Sequence, residues 1–435
     1  MDYGKRVLRA AVLLVFTAAI LFVAGGGRES LDTLFPKKPE EMVGKNGRDS
    51  LYFYYSDEAL TNYVSKAAVN FGEQKGVYVI PVQIPENRYL EEINRASLMG
   101  EKIPDAYIVG NDALEKAYLS GLADQIDDVQ EICNTTFFDD TALNAVTYHG
   151  KKVAYPLYMD VAMLIYNKTY LQTWESQQEE PKQATLSTMD EILNIADSFD
   201  APEGVEGIMK WNVSDIFYNY WIIGAYLKTG GDTGDDRKIL NVDSDQIKNC
   251  LKMYQELNQF FYIEADKVTY ESVADDFLNG RIVFTIGNTD LLTQIEAAKA
   301  IGEFPYEYGV SIVPDLNDEL KSRTLSVTGT VVVNGYSEHK ELANEFAAYL
   351  SNEMADELYL QSGKVAACKR TRADGIGSLV AASYESSIPQ SKIMEFGDIW
   401  LDLEVVFTKV WNGEEPDGLM TELAEQLESK LQPIE

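Results

Sequence analysis

An α/β fold assembled in two units is what this sequence predicts, and three observations predict it. Short aromatic or β-branched runs alternate with stretches of helical periodicity from residue 51 onward. The chain has 435 residues, which suits two domains of ordinary size better than one compact core. After Tyr170 the texture changes and helices dominate, so the two units differ in content.

The elements follow in order. Lys5, Arg6 and Arg9 precede an apolar run at 10–24, and Gly25, Gly26, Gly27 and Arg28 follow it. Basic, then apolar, then small is the order of an export signal or a retained membrane anchor, assigned to 1–24. No cysteine follows the run, which excludes a lipid-modified cysteine, and the positive flank keeps the remaining chain outside the cell. Residues 25–49 are rich in Gly, Pro and charge without a period and are expected to be a linker.

The run Leu51-Tyr-Phe-Tyr-Tyr opens the first strand, and 58–74 carries Leu60, Tyr63, Val64, Ala67, Ala68 and Phe71 at helical spacing. A second strand is expected at 77–84, a helix over 89–99, and a short strand in Pro104-Asp-Ala-Tyr-Ile-Val-Gly. Connections this short argue for layers around a largely parallel sheet. In such sheets ligands bind at the carboxyl ends of the strands, where Ser56, Asp57, Asn111 and Asp112 fall. The same residue types are also the usual helix N-caps, so capping is the plain alternative for each.

Beyond Tyr170, helices are expected at 189–199, 216–227 and 244–260, and Gly230-Gly231-Asp232 reads as a turn that ends the second of these. FLNGRIVFTIGN reads as a helix end, a tight turn and a buried strand; YGVSIVP and TVVVN are further strands. Helices at 340–350 and 355–362 follow, with a last one ending near Leu431. No internal repeat is present.

Charge and composition remove several functions. Seventy acids against 37 bases give a formal charge of −33, a surface that repels DNA, RNA and anionic lipid. Two histidines, His149 and His339, and three cysteines leave little material for a metal site, and none is expected. Cys133, Cys250 and Cys368 lie too far apart for a C-x-x-C pair; free thiols are the plain reading, with one bridge left open for an exported chain. No G-x-S-x-G, P-loop or H-E-x-x-H is present, and GGDTGDD lacks the spacing of a calcium loop. No catalytic residue or cofactor is assigned.

Five fragments, in order, resemble the family-1 extracellular solute-binding proteins, the maltose-binding-protein-like receptors of ATP-driven importers. They are IPDAYIVGNDALEKAYLSGLADQID, GKKVAYPLYMDVAMLIYNKTYL, FLNGRIVFTIGN, YEYGVSIVP and NEFAAYLSNEMADELYLQSGKVAACK. The likeness spans about 50–433. Tyr158 and Met163 stand where the family favours small residues, which leaves the ligand type open.

The resemblance implies a two-lobed periplasmic-binding-protein-like fold with three hinge crossings, near 159, 311 and 362. The amino-terminal lobe then takes 50–159 and 311–361, and the carboxyl-terminal lobe 160–310 and 362–435. It also implies that Asp160, on the Tyr-Pro strand, faces the interlobe cleft as a hydrogen-bond acceptor; the alternative is an ion pair with a nearby Lys or Arg. Tyr218, Tyr220 and Trp221 match a helix that brings aromatic rings to the cleft, and Trp400 matches a late tryptophan platform. Asp290 falls near where several relatives carry a tryptophan. The implied function is capture of a small solute, a carbohydrate above all, by a monomer at the outer face of the membrane, anchored or secreted, for delivery to an ABC permease. An exported carbohydrate-active enzyme, or a sensor serving a membrane kinase, are the competing readings.

Overall fold

The computed structural model describes residues 49–100, 102–179, 183–373 and 375–431. The segments 1–24 and 25–49, read above as signal or anchor and linker, lie outside the described residues apart from Asp49. Two separate sheets organise the chain. The larger has strands β1 (Ser50–Tyr55), β2 (Tyr78–Gln83), β3 (Ala106–Gly110), β6 (Tyr155–Val161), β13 (Leu325–Val333), β14 (Val365–Ala366) and β15 (Ile388–Pro389). Its order is β14-β6-β13-β3-β1-β2, with β15 paired to β13. The smaller sheet, in the order β12-β7-β11-β8, uses β7 (Met163–Asn167), β8 (Gly207–Met209), β11 (Ile282–Gly287) and β12 (Tyr308–Ser311). Two short antiparallel pairs complete the set: β4 (Thr147–Tyr148) with β5 (Lys151–Lys152), and β9 (Lys228–Thr229) with β10 (Leu240–Asn241).

The helical periodicity of the first segment is realised in the helix Thr61–Lys75, which buries Tyr63, Val64, Ala67, Ala68 and Phe71. The expected parallel sheet is only partly present. β2, β1 and β3 run parallel, as do β13 and β15, but β13 is antiparallel to β3 and β6, and β14 is antiparallel to β6. The reason is the hinge: β6 and β13 meet the sheet on passages between the lobes, not through a βαβ crossover.

The first crossing is a nearly unbroken extended run. β6 pairs in the larger sheet, Ala162 intervenes, and β7 pairs in the smaller. Asn167 then caps the next helix, its side chain accepting from the Tyr170 backbone N–H, which accounts for the Tyr-Asn at the end of the run. The second crossing lies between β12 and β13. The third, expected near 362, starts where the helix Ala355–Ser362 ends and is made in steps. Gly363 ends the helix Ala355–Ser362, and the chain then returns to the larger sheet through β14 and β15. The Thr293 hydroxyl donates across to the Gly363 carbonyl at 3.0 Å, and the helix Gly375–Ser386, between β14 and β15, packs on both β6 and β12. The helix Phe396–Trp411 then lies in the other lobe, where Phe407 and Trp411 pack on Tyr254 at 5.2 and 4.8 Å.

The helix expected over 216–227 is short, Ile216–Asn219, followed by a 3-10 turn at Tyr220–Ile222. The glycines after it form no helix-ending turn; they start the tip, 230–239, of the β9–β10 pair. That tip straps the two lobes at the third crossing. Asp235 accepts from the His149 backbone N–H at 2.6 Å. Arg237 donates to both oxygens of Glu115, at 2.7 and 2.9 Å, and to Glu395 at 2.7 Å. Glu115 is fully buried and also accepts from the Tyr148 hydroxyl and the Met394 N–H. Beside it, Lys392 is likewise fully buried and donates to the carbonyls of Asn144, at 3.0 Å, and Thr233. All three cysteines are free thiols.

Candidate functional site

A cleft of about 1060 Å³ opens between the two sheets and takes its walls from both. β1 ends at Ser56 and Asp57, which line it. Asp57 caps the 3-10 turn Glu58–Leu60 by accepting from the Ala59 N–H at 2.9 Å, and it holds the Lys364 ammonium at 2.9 Å. Asp57 thus caps the turn while facing the cleft.

β3 ends the same way, with Asp112 in the 3-10 turn Asn111–Ala113. Asp112 is open to solvent yet enclosed by the cleft walls, and this crowding raises its carboxyl pKa against the lowering effect of its own and the Ala113 N–H. A side chain at Gly110 would lie 2.4 Å from its Oδ1, so the glycine makes room for the carboxylate. Asn111 is corrected. It is fully buried, donating to the Gln390 carbonyl at 2.7 Å and accepting from the Thr328 N–H at 2.9 Å, so it braces β3 against β13 and does not line the cleft.

Asp160 lines the cleft from the crossing strand, half-buried. Its partner is neither a lysine nor an arginine. Oδ1 accepts from the Thr289 N–H at 3.0 Å and hydroxyl at 2.7 Å, and Oδ2 accepts from Asn288 Nδ2 at 3.0 Å. These groups form the start of the helix Thr289–Ala300, whose unpaired N–H groups and positive end favour a carboxylate. The acid in the strand is thus an interlobe helix anchor, and Oδ2 keeps acceptor capacity toward the cleft.

The carboxyl-terminal wall holds Asp215, Phe217, Tyr218, Asp290 and Thr293. Asp215 caps the helix Ile216–Asn219 through the Phe217 N–H at 2.8 Å, and burial raises its pKa. Tyr218 stacks on Tyr270 with ring centroids 5.6 Å apart and 16° between planes. Asp290 accepts from the Tyr270 hydroxyl at 2.9 Å and Gln294 Nε2 at 2.8 Å.

Two tryptophans are corrected. Trp400 is 7% exposed, packed 5.7 Å from Tyr220 and 5.6 Å from Phe396, and is absent from the cleft walls. Trp221 is fully buried beside Trp211, and Tyr220 is buried too. On a helix that is apolar on several faces, periodicity marks burial without saying which lobe interior receives the ring.

Several cleft residues carried no site assignment in the sequence. Glu86, Asn87 and Arg88 come from the 3-10 turn Glu86–Arg88, and Lys116, Thr293, Lys364 and Gln390 complete other parts of the wall. Tyr158 had a visible signal, as a bulky residue two positions before Asp160 on the same strand face. Among the described residues no group of three or more His, Cys, Asp or Glu is arranged to hold a metal ion, and no helix is long and apolar enough to cross a membrane.

Residues 55–357 match the family model described as bacterial extracellular solute-binding protein. The maltodextrin-binding protein MdxE of Bacillus subtilis (strain 168) is 23% identical over 380 residues, covering 82% of this chain and 84% of that protein. A cyclo/maltodextrin-binding protein complexed with maltotetraose superposes with a TM-score of 0.74 at 20% identity, covering 90% of this chain and 100% of that one. The extracellular solute-binding protein from Staphylococcus aureus in complex with maltose gives 0.73 at 18%, covering 89% and 99%.

Proposed function

This chain belongs to the bacterial extracellular solute-binding proteins, and on that premise we propose that its interlobe cleft captures a sugar, an oligosaccharide above all, outside the cell for delivery to an ABC-type permease. The observation that carries the reading is the cleft itself. At about 1060 Å³ it stands at the upper end of the roughly 300–1,000 Å³ of small-molecule sites, room for several sugar units. Phe217, Tyr218 and Tyr158 offer apolar ring surface for C–H faces, and carboxylates and amides surround them to meet hydroxyls. The relatives' malto-oligosaccharide ligands support the same solute class.

In this reading Asp57, Asp112, Asp160, Asp290, Ser56 and Tyr218 contact the ligand, and closure is a hinge motion in which a solute touching both walls stabilises the closed state. The lobe division that goes with it places 50–161 and 325–389 together, and 163–311 with 396–431. No turnover is expected.

Calorimetric titration with malto-oligosaccharides from two to seven units, beside amino acids and polyamines, tests the proposal. Saturable binding of a malto-oligosaccharide, with the sugar recovered intact, supports it. Binding confined to amino acids or polyamines, or cleavage of the glycan, overturns it.

A further inference from the structure

Tyr158 and Asp160 alternate with buried neighbours on β6, so both present their side chains on the cleft face. The Tyr158 ring lies directly on the neighbouring strand. Its register partner is Gly329, and a Cβ there would sit 2.2 Å from the ring's Cε1 and Cζ. No other residue type leaves that seat free. Lys364, tethered to Asp57 at 2.9 Å, places its ammonium 5.5 Å from the ring centroid.

The hydroxyl forms no hydrogen bond with any described residue, a state it shares with the buried Tyr89 hydroxyl of the same cleft, whereas Asp160 and Asn288 are paired with each other. Burial, followed by the charges of Asp57, Asp160, Asp112 and Glu86, raises its pKa well above the ordinary phenol value. The group is therefore a neutral donor at physiological pH, set among carboxylates that only accept. A sugar hydroxyl that donates to one of these carboxylates leaves its own oxygen in need of a donor. The phenol stands where such a donor is wanted, and the surrounding charges disfavour an anionic solute.

We infer that Tyr158 is a specificity-determining contact of the cleft, donating to a hydroxyl or ether oxygen of an uncharged sugar while Gly329 holds its ring in place. This rests on the sugar reading above and deepens it. Tyr158→Phe keeps the ring and its seat and removes the donor. Gly329→Ala keeps the donor and obstructs the seat.

The test titrates maltotetraose into wild type, Tyr158→Phe, Gly329→Ala, Tyr158→Ala and the Gly329→Ala/Tyr158→Ala pair, with melting temperature followed in parallel. The expected result is a roughly three- to tenfold weaker Kd for Tyr158→Phe at an unchanged melting temperature. Gly329→Ala should weaken binding in the wild-type background and add little once Tyr158 is alanine. A wild type that ignores maltotetraose overturns the sugar reading, and this inference with it. A wild type that binds, alongside a Tyr158→Phe variant that binds equally well, overturns the inference alone. So does a Gly329→Ala effect that persists unchanged without the ring.

Discussion

The cleft and the strap at the third crossing both bring charged side chains to the junction of the lobes, and they treat those charges in opposite ways. In the cleft, Asp112 and Asp290 stay exposed, and Asp160 is half-buried with most of its capacity given to a helix start. In the strap, Glu115 and Lys392 are wholly buried and fully engaged, although Glu115 is next in sequence to Lys116 on the cleft wall. The difference teaches where this fold keeps its freedom. A carboxylate left to water is available to a ligand; one buried against an arginine, a tyrosine and a backbone N–H is committed to structure.

The largest expected effect breaks the strap. Glu115→Ala leaves Arg237 with Glu395 alone and strips partners from the Tyr148 hydroxyl and the Met394 N–H. Because Arg237 keeps about a third of its side chain in solvent, the loss is expected near ~3 kcal/mol, the low end for a broken buried pair. Urea denaturation measures it; a loss below ~1 kcal/mol would mean the network holds little.

Asp160 and Asp112 sharpen the contrast within the cleft. Asp160→Ala removes an anchor of the helix Thr289–Ala300 and is expected to cost about 1–2 kcal/mol of stability as well as affinity. Asp112→Asn should reduce affinity with the melting temperature unchanged, since its carboxylate meets only local backbone groups. If the two variants behave alike in both measurements, anchor and ligand contact are not separate roles.

The smallest effect is a pH slope. Burial lowers the Lys392 pKa to about 7, with Asp235 and Glu115 opposing that shift and Lys152 adding to it. An unfolded lysine keeps its proton to about pH 10.4, so between about 7 and that value the unfolded state binds more protons and stability rises with pH. From pH 7 to 8 the gain is expected to be ~1 kcal/mol. Lys392→Met should lose it, and since Lys152 is also lowered by burial, the difference between the two proteins isolates Lys392. An identical slope in both would show that the ammonium is not held as described.

Much of the fold was legible because its signals are local. The strand and helix of the first βα unit and the Gly-containing turn before β11 stand where periodicity and turn residues put them, while the passage of the Tyr-Pro strand between the sheets was implied by the family resemblance. The stepwise path of the third crossing was not legible, because β14 and β15 are two residues each, too short to carry a pattern, while Gly363 marks a helix end as strongly as a lobe boundary does. In the site, Asp57 and Asp112 were legible as acids at strand ends. The role of Asp160 was not, since Thr289 lies 129 positions away and no local rule joins them. Asn111, Trp221 and Trp400 failed for one reason: polarity and helical spacing show that a side chain is enclosed, not which enclosure holds it.

The three crossings are unequal in length. Between β6 and β7 stands Ala162 alone, whereas 312–324 separate β12 from β13 and 390–395 lead from β15 to the helix Phe396–Trp411. A one-residue link has no slack. Ala162 is therefore the tightest of the three links and holds the two sheets closest along the chain. Asp160 stands two residues before Ala162 on the same strand and lines the cleft, so a solute that touched it would lie beside the link least able to lengthen.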